Sequence, residues 1–210
     1  MKATCSIFLS AFIILFSANA NAALIKCVFE GDISFAFDNT GTIDFNTVDS
    51  YSGVLVYDTS TTDTRPESDV GKYIGAIKEF TVSLGGHLFT LDSPGTSSIS
   101  VSDGDWDHLV FNADLNGPGA IGKIDAEIDL TDQDGQALTG DALPEAINLS
   151  DFNSPRRLIM GWSEDAFYLN GSNLTGFQAP PPVSAPEPAT MLLLGVGILG
   201  LAGFRRKVTK

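Results

Sequence analysis

Apolar side chains recur at every second position along much of this chain, and that period of two leaves little choice of backbone. Ile33, Phe35 and Phe37 alternate, as do Phe80, Val82 and Leu84, then Leu109, Phe111 and Ala113, then Ile124, Ala126, Ile128 and Leu130. Successive side chains of a strand point to opposite faces, so each run reads as a strand with one apolar face. Turn formers separate the runs: Asp38-Asn39-Thr40-Gly41, Gly85-Gly86, Asp103-Gly104, Asn116-Gly117-Pro118-Gly119, Asp134-Gly135 and Asn170-Gly171. Gly85-Gly86, between Thr81-Val82-Ser83-Leu84 and Leu88-Phe89-Thr90-Leu91, predicts a hairpin. Asn170-Gly171, after Phe167-Tyr168-Leu169, predicts another. Gly53-Val54-Leu55-Val56 reads as a strand that opens at Tyr57 into a polar loop reaching about Val70. No run carries a helical stripe, although Asp141 to Leu149 has room for one or two short turns. About ten short strands, each with one apolar face, need a second sheet to cover them, so the expected body is an all-β, antiparallel, jelly-roll-like sandwich. A closed barrel is the alternative.

The amino terminus predicts export. Lys2 precedes an apolar run from about Cys5 to Phe16, and Ala18-Asn19-Ala20 and Ala20-Asn21-Ala22 both fit a small-residue cleavage pattern. Cleavage is expected after Ala22, with Ala20 the other candidate, which makes 1–22 a signal peptide. Cys5 then leaves with the signal, and Cys27 remains without an internal disulfide partner. The body, 23–177, must hold itself together by packing, and Cys27, beside Leu24, Ile25 and Val28, is expected to be buried. About 166 residues between the signal and Pro188 suffice for one domain with a sizeable core.

Charge narrows the partners. All 26 acidic residues but only 7 of the 12 basic ones fall between 23 and 188. Such a body repels nucleic acid and anionic surfaces.

Beyond the body, Gln178-Ala179-Pro180-Pro181-Pro182-Val183-Ser184-Ala185 reads as a proline-rich linker, 178–185, with polyproline character. Pro186-Glu187-Pro188 follows, then Ala189 to Phe204, a stretch without charge in which only Thr190 has a polar side chain, then Arg205-Arg206-Lys207. A helix over 189–204 spans roughly 24 Å, short of a hydrocarbon core of about 30 Å by an amount that bilayer thinning or snorkelling basic side chains absorb. Gly195, Gly197, Gly200 and Gly203 suit a membrane span better than a helix in water. The basic cluster is expected to stay cytoplasmic and to orient the span.

A proline-glutamate-proline motif, a glycine-rich apolar span and a terminal basic cluster, in this order over 186–210, resemble the PEP-CTERM sorting signal of Gram-negative bacteria. The resemblance implies recognition by exosortase, a membrane enzyme similar to cysteine transpeptidases, which cleaves near the motif. It further implies an inner-membrane precursor, a final place at the cell surface or in the extracellular matrix, and an association with exopolysaccharide and biofilm.

The chemistry readable in the body is sparse. His87 and His108 are its histidines, and no G-x-S-x-G nucleophile elbow occurs. Glu79, Glu127, Glu145 and Glu164 serve a glycosidase only if the fold brings two of them within about 5–10 Å. No catalytic residue is assigned, and the chain is expected not to be an enzyme, with a secreted hydrolase as an alternative. Asp103, Asp105 and Asp107 stand at alternate positions in a turn and are candidate calcium ligands. Asp129, Asp132 and Asp134 with Gly135 make a second acidic turn that does not fit the EF-hand pattern. Trp106 and Trp162, with Tyr51, Tyr57, Tyr73 and Tyr168, are candidates for a sugar-stacking platform, which makes a carbohydrate-binding module the other alternative. No cofactor is expected apart from that possible calcium.

Overall fold

Twelve strands follow one another in the computed structural model, which describes residues 23–65, 70–161, 166–171 and 173–178. They are β1 (Leu24–Asp32), β2 (Phe35–Asp38), β3 (Ser50–Asp58), β4 (Val70–Ile74), β5 (Ile77–Leu84), β6 (His87–Leu91), β7 (Ser98–Ser102), β8 (Asp107–Asn116), β9 (Lys123–Asp132), β10 (Arg156–Met160), β11 (Phe167–Gly171) and β12 (Asn173–Gln178). Among the described residues the only helical turns are of the 3-10 kind, Pro94–Thr96 and Leu149–Asp151. The described body is all-β, and its pairings are antiparallel except for a single parallel pair, Arg156 with Asn173.

The ladder is not divided into two separate sheets. It is one strongly curled sheet. A five-strand stretch, β12-β1-β3-β5-β6, is joined to a seven-strand stretch, β2-β11-β10-β9-β8-β7-β4. The joints are narrow. Thr90–Asn116 and Leu91–Leu115 link β6 to β8, and the lone parallel pair links β10 to β12. Neither stretch can hide its apolar face alone, so the sheet turns at these joints and the inner faces meet. Tyr57 on β3 reaches Phe111 on β8 at 5.7 Å between ring centroids, Phe111 reaches Phe177 on β12 at 5.9 Å, and Phe89 on β6 reaches Phe167 on β11 at 5.4 Å. All these rings are buried, as are Phe29 and Phe80.

The two expected hairpins part company. Leu84 pairs with His87, and Gly85 and Gly86 take φ of 57° and 81°, the left-handed pair that a two-residue turn demands. Asn170-Gly171 forms no hairpin. Both residues belong to β11, which pairs with β10 and β2, while β12 goes to β1. Glycine stands at 171 for a packing reason: a Cβ there would lie 2.3 Å from Cε1 of Tyr51.

Residues 133–155 cross from β9 to β10 with one 3-10 turn, and this long connection is fastened rather than loose. It contributes Leu138, Leu143, Ile147 and Phe152 to the core. The Tyr57 hydroxyl donates to the Pro144 carbonyl at 2.6 Å and the Tyr73 hydroxyl to the Asp141 carbonyl at 2.7 Å. Cys27 is fully buried and free, as its apolar neighbours predict, and burial pushes its thiol up to about 12.

The unit containing the body ends at Ala179. The signal peptide with Ala20 and Ala22, the linker beyond Gln178, Pro186-Glu187-Pro188, the span 189–204 and Arg205-Arg206-Lys207 lie outside the described residues, as do Trp162 and Glu164. Among the described residues no helix is long and apolar enough to cross a membrane.

Candidate functional site

The acidic turns come first, because they were the candidates for a cation. Asp103, Asp105 and Asp107 lie where β7 turns into β8, with Asp105 exposed, Asp103 half-buried and Asp107 buried. The Asp107 carboxylate faces inward, accepting from the Leu138 N–H at 2.8 Å and the Gly104 N–H at 3.4 Å. Asp132, in the second turn, accepts from the N–H groups of Gln136 at 2.7 Å, Asp134 at 3.2 Å and Ala137 at 3.2 Å. Asp38, at the end of β2, accepts from the N–H groups of Thr40, Thr42 and Ile43 and from the Thr40 hydroxyl, all within 2.8 Å. These three carboxylates give their oxygens to backbone donors that the loops would otherwise leave unpaired. Among the described residues no three or more His, Cys, Asp or Glu gather into a group able to hold a metal ion.

That arrangement has a pH consequence. Burial opposes ionisation of Asp38, but the Thr40 hydroxyl and the Ile43, Thr40 and Thr42 N–H groups outweigh it and hold the carboxyl below the usual range. The Gln136 N–H does most to hold Asp132 low, against some burial, with the Asp134 and Ala137 N–H groups adding to it. A carboxyl whose folded pKa lies below its unfolded value of about 4 stabilises fully above that value, and the contribution vanishes as pH falls through the folded pKa. Melting temperature is therefore expected to fall steeply as pH drops below about 4. Asp38→Asn combined with Asp132→Asn should flatten that fall, and an unchanged acid profile would remove the two loops from the account.

A polar string runs over the outward face of β8, β9 and β10. Trp106, 55% exposed, sits with its ring centroid 6.4 Å from that of His108. His108 Nδ1 is 3.1 Å from the Thr131 hydroxyl, which donates to Asp129 at 3.1 Å. One hydroxyl proton cannot serve both neighbours, so Nδ1–H of His108 donates to Thr131. The Arg157 guanidinium grips the same aspartate, with Nε at 3.1 Å and Nη2 at 2.9 Å. Thr131 is buried, which leaves this string without an exposed nucleophile. Glu127, next on this face of β9, has its carboxyl raised by burial and then by the charge of Asp129, with Arg157 opposing. Glu79 lies on β5 and Glu145 in the 133–155 connection, so these two and Glu127 sit on separate elements. His87, at the start of β6, is half-buried.

The tyrosines divide. Tyr51, Tyr57 and Tyr73 are core residues with hydroxyls turned to backbone carbonyls, and only Tyr168 stands in an outward cluster. Its companions are Phe35 and Phe37. Ring centroids lie 6.1 Å apart for Phe35–Phe37, 6.0 Å for Phe35–Tyr168 and 5.9 Å for Phe37–Tyr168. The alternation Ile33, Phe35, Phe37 suggested one buried face. A break at Ile33 and Ser34, before β2 begins, shifts the parity, so that Ala36 faces the core and the two phenylalanines face out. The readable signal was Ala36, a residue small enough to be either a wet or a packed position.

No curated protein and no solved structure matches the chain. The family model for the PEP-CTERM protein-sorting motif matches residues 184–207, which hold Pro186-Glu187-Pro188 at one end and Arg205-Arg206-Lys207 at the other. The chain carries a PEP-CTERM sorting motif, and is thereby an exported protein sorted by exosortase.

Proposed function

We propose that this protein is a non-catalytic component of an exopolysaccharide-rich extracellular matrix or cell surface, released or transferred there when exosortase cleaves near Glu187. The carrying observation is the motif at 184–207. Before processing, the span 189–204 holds the precursor in the inner membrane of a Gram-negative bacterium, and the basic cluster orients it. In this reading the proline-rich linker, 178–185, offers the motif to the membrane enzyme as an extended segment.

Mass spectrometry of the matrix fraction tests the proposal. The chain recovered there should begin at Ala23 and lack Lys210. A matrix chain ending at Lys210 in cells with active exosortase would reduce the segment to a plain anchor. A chain that begins at Met1 in the envelope would remove the signal peptide.

A second reading, a carbohydrate-binding module, draws support from Trp106, exposed beside the His108–Thr131–Asp129–Arg157 string. Trp106→Ala tests it by loss of binding on a glycan array.

A further inference from the structure

The outward cluster of Phe35, Phe37 and Tyr168 is unlike the scattered apolar residues normal on a surface. Phe35 is 59% exposed, and the three rings touch one another at the end of the sheet, since β2 is the last strand of its stretch. Edge strands are ordinarily guarded by charge, and the other terminal strand, β4, carries Lys72 at its centre. β2 reads Phe-Ala-Phe-Asp, with its one charge turned to the loop at Thr40–Ile43. Stability does not explain rings left in water.

The surroundings of the rings are polar and ordered by register. Phe35 pairs with Asn170, Asn170 with Ile159, Ile159 with Glu127, Glu127 with Asn112, and Asn112 with Ser98. One row of the outward face thus runs from an aromatic platform through an amide, an isoleucine, a carboxyl, a second amide and a hydroxyl. At about 4.8 Å per strand, Phe35 to Asn112 is roughly 19 Å. Arg157 and Asp129 lie one step along β10 and β9 from this row. Asn170 Oδ1 is buried without a hydrogen-bond partner, a costly state for an acceptor.

We infer that this row binds a neutral glycan chain, with sugar rings stacked on Phe35, Phe37 and Tyr168 and hydroxyls donated to Asn170 and Glu127. Flat rings beside amides and carboxyls match the alternating apolar faces and hydroxyl edges of a sugar. Charge selects the kind of glycan. The body holds nearly four acids for each base, and Asp125 and Glu127 lie along this face of β9, with the charge of Asp129 met by Arg157, so a uronate-rich polymer is repelled by the net excess of acids. The same excess opposes a second copy of the chain on the platform. This inference rests on the matrix reading above and names the ligand class for it.

The test uses the full mature chain from the matrix fraction in affinity electrophoresis, with the culture's own extracellular polysaccharide separated by anion exchange into neutral and acidic pools. The neutral pool is expected to retard the chain and the acidic pool not. Phe35→Ala with Phe37→Ala should weaken retardation at least about tenfold with the melting temperature nearly unchanged. Phe35→Tyr should retain binding and Phe35→Leu should lose it, which separates ring stacking from apolar contact. No retardation by the neutral pool, preference for the acidic pool, or equal binding by the double variant overturns the inference. So does a concentration-dependent dimer in sedimentation that Phe35→Ala abolishes, which would assign the platform to self-association. A chain processed into the matrix that binds no neutral glycan refutes this inference alone. An unprocessed chain refutes the matrix reading, and the same electrophoresis on the chain purified from the membrane fraction then decides this inference by itself.

Discussion

Replacing Glu187 by Ala, or Pro186 and Pro188 together by Ala, is expected to leave nearly all of the protein as an uncleaved precursor in the inner-membrane fraction. The physical reason lies in the covalent chemistry of the tripeptide. Each proline fixes its own φ near about −65° and removes a backbone donor, and the residue before each is pushed toward extended conformations. In the proposed precursor Glu187 is thereby offered on a stiff segment, a form that an enzyme groove can bind with little ordering cost. The basic cluster acts differently. Drawing Arg205, Arg206 and Lys207 through a bilayer costs several kcal/mol, so in the proposed precursor their role is to set the register and orientation of the span. Neutralising them should disturb orientation or retention first, and cleavage only in consequence. Intact-mass measurement on matrix and membrane fractions separates the two classes of variant. Normal processing of Glu187→Ala would show that exosortase reads some other feature of 184–207.

The parts of the body legible in the sequence are those governed by local rules. Leu109, Phe111 and Ala113, and Ile124, Ala126 and Ile128, are buried as their period of two requires, because β8 and β9 run through the middle of the seven-strand stretch with one face on the core. Gly85-Gly86 turns as expected because positive φ at two successive positions is a requirement that few other residues meet. The misreadings share a cause. Asn170-Gly171 looks like a turn, yet its glycine answers to Tyr51, about 120 residues away in the chain. Phe35 and Phe37 look like core, yet a two-residue break upstream decides which way they face. Asp107 and Asp132 look like solvated or cation-binding acids, yet their oxygens close loops. Strand pairing order is likewise set by contacts distant in sequence, and no local pattern marks β10 as the strand that lies between β9 and β11. The sorting tail was legible because its parts are contiguous.

Phe111→Ala is expected to be the most damaging single change inside the body. Phe111 has no exposed surface and lies between Tyr57 of β3 and Phe177 of β12, so one ring from the seven-strand stretch touches two rings of the five-strand stretch. Removing it takes away the transfer energy of the ring and leaves a cavity between faces that the narrow joints at Thr90–Asn116 and Arg156–Asn173 cannot easily collapse. The expected loss is about 3–5 kcal/mol, against a total stability of about 5–15 kcal/mol for a domain of this kind. Free, buried Cys27 offers no covalent reserve to offset it. Asn112→Ala, next along β8 but on the outward face, is the control and should change stability by no more than about 0.5 kcal/mol. Urea unfolding of the exported chain, followed by circular dichroism, reads both. A large drop in midpoint for Phe111→Ala with a small one for Asn112→Ala is what two facing stretches require. Equal and small effects would mean that the inner faces do not bear on each other, and the curled sheet would then need another source of stability.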